Sequence, residues 1–222
     1  MSVIDGVCDL LQTHANRDKV VSVVSYALKL WGSSANRAEL LAASARLAST
    51  RSSLRLFDDA AAIKAIAAYG FGKKEGLWWG LLGVANGLLV LGYLQAEKVV
   101  WLLDVGILKL PPTQEKHART AHKLFWSLYA FVAFIRSLRA LHSATLILKC
   151  PSRTKCTRAR YYYAALTTTK LLLDTVHAVC WLPTGWLWGG QVPSKPMAVL
   201  GLVPAVLALV LHHSANRLSV AR

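Results

Sequence analysis

Two stretches without a single charged side chain constrain this 222-residue sequence more than any other feature. Gly76 to Ala96 (GLWWGLLGVANGLLVLGYLQA) runs for 21 residues, and Met197 to Leu211 (MAVLGLVPAVLALVL) for 15. A core helix of a soluble domain keeps one polar face for water, so neither run suits one. At ~1.5 Å per residue the first run reaches roughly 30 Å, the hydrocarbon thickness of a bilayer. The sequence therefore reads as that of a membrane protein.

The charge is uneven. Residues 1–104 carry 11 Lys and Arg against 9 Asp and Glu, whereas residues 105–222 carry 15 against 2, the acids being Glu115 and Asp174. A C-terminal half that is both basic and apolar suits anionic lipid head groups, where each Lys or Arg near the surface contributes ~1 kcal/mol. Nucleic-acid modules are basic as well, but long uncharged apolar runs do not accompany them, so no nucleic acid is expected as a partner. Cys8, Cys150, Cys156 and Cys180 lack zinc-ligand spacing and read as reduced structural thiols. No paired acids, nucleophile elbow or phosphate loop occurs, which argues against an enzyme and against a cofactor. The acidic N-terminal segment MSVIDGVCDLLQTH is not a secretory signal, and SVAR at the other end is no lipidation box, so targeting is expected to be internal.

Asp18 to Trp31 (DKVVSVVSYALKLW) forms the cleanest amphipathic helix. At 100° per residue Val20, Val21, Val23, Val24, Ala27, Leu28, Leu30 and Trp31 share one half of the wheel, and Asp18, Lys19, Ser22, Ser25, Tyr26 and Lys29 the other. Two readings follow: a core helix of a small soluble bundle, or a helix lying in the membrane interface. In the second, Val20, Val23, Val24, Ala27, Leu28 and Trp31 enter the acyl region while Lys19 and Lys29 meet head groups. A second helix is expected over Ala35 to Ala68. At its end LRLFDD (Leu54, Arg55, Leu56, Phe57, Asp58, Asp59) sets two adjacent carboxylates ~100° apart on a helix, a geometry that favours pairing with Arg51 or Arg55 over shared acid–base work.

Pro111-Pro112 marks the clearest break, giving an amphipathic region 1–75, an apolar membrane-associated helix 76–110 and a basic, membrane-anchored region 111–222. Within the last, Leu124 to Ile135 is apolar for 12 residues, too few to span alone. Lys149 to Arg160 is a basic loop, read either as solvated charge or as an anionic-lipid contact through Arg153, Lys155, Arg158 and Arg160. Asp174 and His177, at i and i+3, read as an Asp–His hydrogen bond, with a proton relay or half a metal site as the sharper alternatives.

Two stretches carry a resemblance. SSLRLFDD (Ser52 to Asp59) leads to YGFG (Tyr69 to Gly72), and His177 is followed by WLPTGWLWGG, whose Trp181, Leu182, Pro183, Gly185, Trp188 and Gly189 form a fairly specific pattern. With RDK (Arg17 to Lys19), these segments resemble the peroxisomal biogenesis factor 11 (peroxin-11) family, particularly its gamma type, over most of the chain. The resemblance implies an all-α integral protein of the peroxisomal or glycosome-like microbody membrane with both termini toward the cytosol. Amphipathic N-terminal helices would precede an apolar hairpin or bundle with two to three spanning or embedded helices. It further implies membrane elongation by amphipathic-helix insertion, peroxisome proliferation and fission, homo-oligomers, and fission adaptors with a dynamin-like GTPase as partners. An oligomeric small-solute channel is the alternative activity. The uniformly apolar Gly76 to Ala96 departs from the family pattern and leaves open whether that helix spans the bilayer or lies against it.

Overall fold

Capping chemistry sets the first helix. In the computed structural model, which describes residues 8, 11–149 and 155–220 (backbone only at 14, 15, 155 and 215–220), the Thr13 hydroxyl accepts from the Asn16 amide at 3.3 Å and starts α1 (His14–Ala35). Asn36, left-handed at φ 52°, ends it, a conformation that short polar side chains tolerate. After α2 (Ala38–Leu54) the expected long helix breaks: Arg55–Phe57 tightens to a 3-10 turn, and α3 (Asp59–Tyr69) leaves in a new direction. A 3-10 turn at Lys73–Glu75 precedes α4 (Leu77–Asp104). Pro112 then opens α5 (Pro112–Lys149), where a missing backbone N–H costs nothing. α6 (Lys155–Cys180) and α7 (Ser194–Val220, with Pro204 inside it) complete the chain.

All regular structure among the described residues is helical, and three helices are long and apolar enough to cross a membrane: Leu77–Asp104, Pro112–Lys149 and Ser194–Ser214. The 12-residue run at Leu124–Ile135, too short alone, belongs to the second of these. Its flanking basic residues are absorbed into a single 38-residue helix.

Neighbouring helices pack in the order α2, α1, α7, α6, α5, α4, and α3 lies against α4. The end of α2 returns to α4, where the Trp101 indole donates to Ser53 Oγ at 2.9 Å, so six helices close into a ring. The interior of this ring is small and polar: Ser22, Ser25, Ser44, Ser127, Ser137, Thr168 and Thr175 are buried, and alanines outnumber leucines among the buried apolar residues. Large apolar side chains crowd the outside, among them Leu81, Leu88, Phe131, Val203 and Val210. Only 17%, 17% and 28% of the apolar windows in the three spanning candidates are buried, so their apolar faces point outward. That arrangement inverts a soluble protein and fits a lipid surround, where small residues let helices approach and polar groups pair inside.

Candidate functional site

The ring encloses a cavity of about 660 Å³ whose wall carries charge from every helix except α3 and α7. Asp18 on α1 accepts from Arg51 Nε at 3.0 Å and Nη2 at 3.3 Å, and lies 3.5 Å from Arg55 Nη1. Arg55 also forms a two-pronged pair with Glu97 on α4, its Nε to Oε2 at 3.0 Å. The Tyr93 and Ser52 hydroxyls each donate to Glu97 Oε1 at 3.2 Å. Four donors thus surround a carboxylate that is only 4% exposed, which meets the hydrogen-bonding demand of a polar group inside the bundle. Burial opposes the charge on Arg55, but Tyr93, Glu97 and Asp18 outweigh it and raise the guanidinium pKa. Across the cavity Lys170 Nζ pairs with Asp174 Oδ2 at 2.5 Å.

This network corrects two sequence expectations. Asp174 does not bond His177, because each finds a partner one helical turn away, in opposite directions: Lys170 for the carboxylate, Trp181 for the imidazole. Nor do Arg51 and Arg55 pair with the adjacent carboxylates of LRLFDD. The 3-10 break turns Asp59 toward α4, where it pairs with Lys98 and accepts from Gln95 Nε2 at 3.2 Å, while the arginines reach Asp18 and Glu97. Leu54, Leu56 and Asp58 are half-buried, and Phe57, 86% exposed, stands outside.

His177 closes one end of the cavity. The indole N–H of Trp181, a donor only, points at His177 Nε2 at 3.1 Å, so Nε2 accepts and the ring proton sits on Nδ1. Tyr26 and Trp126 meet the imidazole edge-on at 5.3 and 5.5 Å. Burial, with repulsion from Lys29 and Arg51, holds its pKa down to about 4, so the ring stays neutral. The following WLPTGWLWGG folds back over the end of α6: Trp188 Nε1 donates to the Val176 carbonyl at 3.3 Å and the Gly190 amide to that of Cys180 at 3.1 Å. Leu182 is buried, Pro183 half-buried, and Gly185 takes φ 94°, where only glycine is unstrained. A Cβ on Gly189 would stand 2.6 Å from the Leu182 carbonyl oxygen. The motif is a cap on the ring.

The opposite side of α1 faces out. Val24 and Trp31 are 45% and 59% exposed, Ala27 is exposed, and Val20, Val23 and Leu28 are half-buried. On its inner side Ser25 and Ser44 exchange hydroxyl-to-carbonyl hydrogen bonds at 3.0 and 2.8 Å. The soluble-core reading of this helix fails, since its buried face is the polar one. Among the residues expected at head groups, Lys19 lines the cavity, where burial lowers its pKa against the opposing pull of Asp18. Lys29 stands over the Trp181 ring at 4.8 Å with Met197 Sδ at 3.7 Å, and Arg158 and Arg160 are exposed on α6. Arg153 and the side chain of Lys155 lie outside the described residues.

Sequence reasoning missed Glu97, which directly follows the apolar run. The one available signal was an acid inside an otherwise apolar helical pattern; its partner is 42 residues away. Also missed was Asn16, 1% exposed, whose amide meets His212 Nε2 at 2.9 Å and ties α1 to α7.

Comparison with known proteins bears on this architecture. The family profile described as Peroxisomal biogenesis factor 11 (PEX11) matches residues 4–211. The chain is similar to the Mus musculus protein named Peroxisomal membrane protein 11C, with 27% identity over 94% of this chain and 93% of that one. It is 26% identical to the Homo sapiens protein of the same name, over 94% of each. No solved structure matches it. The chain therefore belongs to the peroxisomal biogenesis factor 11 family as a gamma-like member, a peroxisomal membrane protein of peroxisome biogenesis.

Proposed function

We propose that this protein elongates the peroxisomal membrane by seating the apolar outer face of α1 in one leaflet, and that this promotes proliferation and fission. The observation that carries the reading is the orientation of α1: its serines seal against α2, whereas Val24, Ala27 and Trp31 are left uncovered. An amphipathic surface sunk ~5–10 Å into one leaflet expands that leaflet relative to the other and favours curvature. Further copies of the chain, and fission adaptors with a dynamin-like GTPase, are the partners such a role calls for. Both termini face the cytosol in this scheme. Over-expression and deletion, imaged with a peroxisomal matrix marker, test it: elongated or more numerous organelles in the first case and fewer, larger ones in the second are expected. Unchanged size and number in both would sink it.

The charged cavity favours a second reading, an oligomeric small-solute channel. Its wall offers five cationic side chains (Lys19, Arg51, Arg55, Lys123, Lys170) and four anionic ones (Asp18, Glu97, Asp104, Asp174), a path for polar solutes rather than lipid. Conductance in planar bilayers that shifts with Asp174→Asn supports this reading; silent bilayers remove it.

A further inference from the structure

A second cleft, of about 450 Å³, lies between α4 and α5 and is lined by Glu75, Trp79, Asn86, Arg136, Arg139 and Ser143 among others. Its depth in a bilayer follows from the hairpin. At one end of α4 and α5, Arg119 donates to Asp104 at 2.7 Å and to Glu115 at 2.9 Å. At the other, Arg136 donates to both Glu75 oxygens, at 3.1 and 3.3 Å. From Arg119 to Arg136 the helix rises ~26 Å, close to the ~30 Å of hydrocarbon. The cleft therefore opens at head-group level. Trp78 and Phe71, at the same end of α4, are 79% and 83% exposed, as interfacial aromatic anchors are.

Two polar atoms in this cleft are buried without a hydrogen-bond partner: Arg139 Nη1 and Asn86 Oδ1. Arg139 is held in place by other contacts, Nη2 donating to the Glu75 carbonyl at 3.2 Å and the guanidinium lying over Trp79 at 4.8 Å. Its Nη1 remains 3.6 Å from Glu75 Oε2, beyond hydrogen-bond range. Arg136 is similarly fixed over the Tyr69 ring at 5.0 Å. Two guanidinium groups facing one carboxylate leave the cleft one positive charge in excess, with one oriented N–H donor unused. Asn86 lies seven residues beyond Trp79, ~10 Å deeper along α4. Its amide offers an acceptor there, or after a half-turn a donor, to match a glycerol hydroxyl or an ester carbonyl.

We propose that this cleft binds an anionic phospholipid, the phosphate on Arg139 Nη1 and the glycerol-ester region against Asn86. A free phosphate could satisfy the arginine but not the amide ~10 Å below it, whereas a phospholipid carries both groups in that order. The site rests on bilayer residence, not on the elongation reading, so a protein that leaves vesicles spherical still shows it.

The test is equilibrium binding of dioctanoyl phosphatidate to the full-length protein in detergent, with dioctanoyl phosphatidylcholine and inorganic phosphate as competitors. Saturable binding is expected, weakened at least about tenfold by Arg139→Gln, which removes a charge-assisted hydrogen bond. Ser143→Trp, which fills the cleft and spares both arginines, is expected to weaken it as much. Arg46→Gln, exposed on α2, is expected to leave it unchanged, and neither competitor is expected to displace the ligand at equal concentration. Wild-type affinity in Ser143→Trp, or in a folded Arg139→Gln, overturns the proposal. An equal loss in Arg46→Gln reduces it to diffuse charge, and displacement by inorganic phosphate makes the cleft a free-anion site; either outcome also overturns it.

Discussion

Arg55 Nε and Glu97 Oε2 meet at 3.0 Å across the central cavity, joining the 3-10 turn after α2 to the C-terminal third of α4. The carboxylate is almost wholly buried, so the two charges depend on each other. Arg55→Ala, which strands that carboxylate, is expected to lower stability by about 3–5 kcal/mol. Replacing both partners with Met is expected to recover most of the loss, because no uncompensated charge remains. Thermal unfolding in detergent distinguishes the two; a double variant as unstable as the single one contradicts this account of the pair.

The seat of α3 depends on glycine in the apolar run. A Cβ on Gly83 would stand 2.1 Å from Tyr69 Oη, which donates to the Trp79 carbonyl at 3.3 Å. Gly83→Val is expected to lift the end of α3 from α4 at a cost of about 1–3 kcal/mol. Faster tryptic cleavage at the exposed Lys73 and Lys74 is the readout, and unchanged protection would show that α3 has another anchor.

His177 gives stability a pH dependence with a defined sign. Its ordinary pKa of 6.5 is held down to about 4 in the fold, so the unfolded chain takes up a proton first as pH falls. The contribution of the neutral ring is complete above 6.5 and is lost as pH falls from there to 4. At ~1.4 kcal/mol per pH unit the loss approaches about 3 kcal/mol. His177→Phe keeps an aromatic ring against Tyr26 and Trp126 and is expected to flatten that part of the curve. A slope identical to wild type between those pH values would assign the effect to another group.

Much of the fold was legible because lipid imposes simple rules. Gly76 to Ala96 announced a helix of bilayer length, and the α1 wheel separated Val24, Ala27 and Trp31 from Ser22 and Ser25 correctly. Wheel analysis cannot say which half is buried, however, and here the polar half is. The length of α5 was hidden because Lys123 and His122, which turn into the cavity, interrupt its apolar pattern. LRLFDD was visible as a motif, but the direction of its charges was not. A 3-10 turn decides that direction, and the partners lie 33 residues away at Asp18, 42 at Glu97 and 39 at Lys98. Asp174 and His177 failed for the opposite reason: i, i+3 spacing permits a contact, yet each residue has a nearer competitor.

Bending of the bilayer by the uncovered apolar face of α1 is open to reconstitution. Full-length wild-type protein and Val24→Glu, reconstituted into anionic liposomes at equal protein-to-lipid ratio and imaged by cryo-electron microscopy, test it most directly. Val24 faces outward, so the variant is expected to keep the melting temperature of the wild type. Tubules are expected with wild type and spheres with Val24→Glu. Spherical vesicles with wild type, or tubules with both proteins, would contradict it.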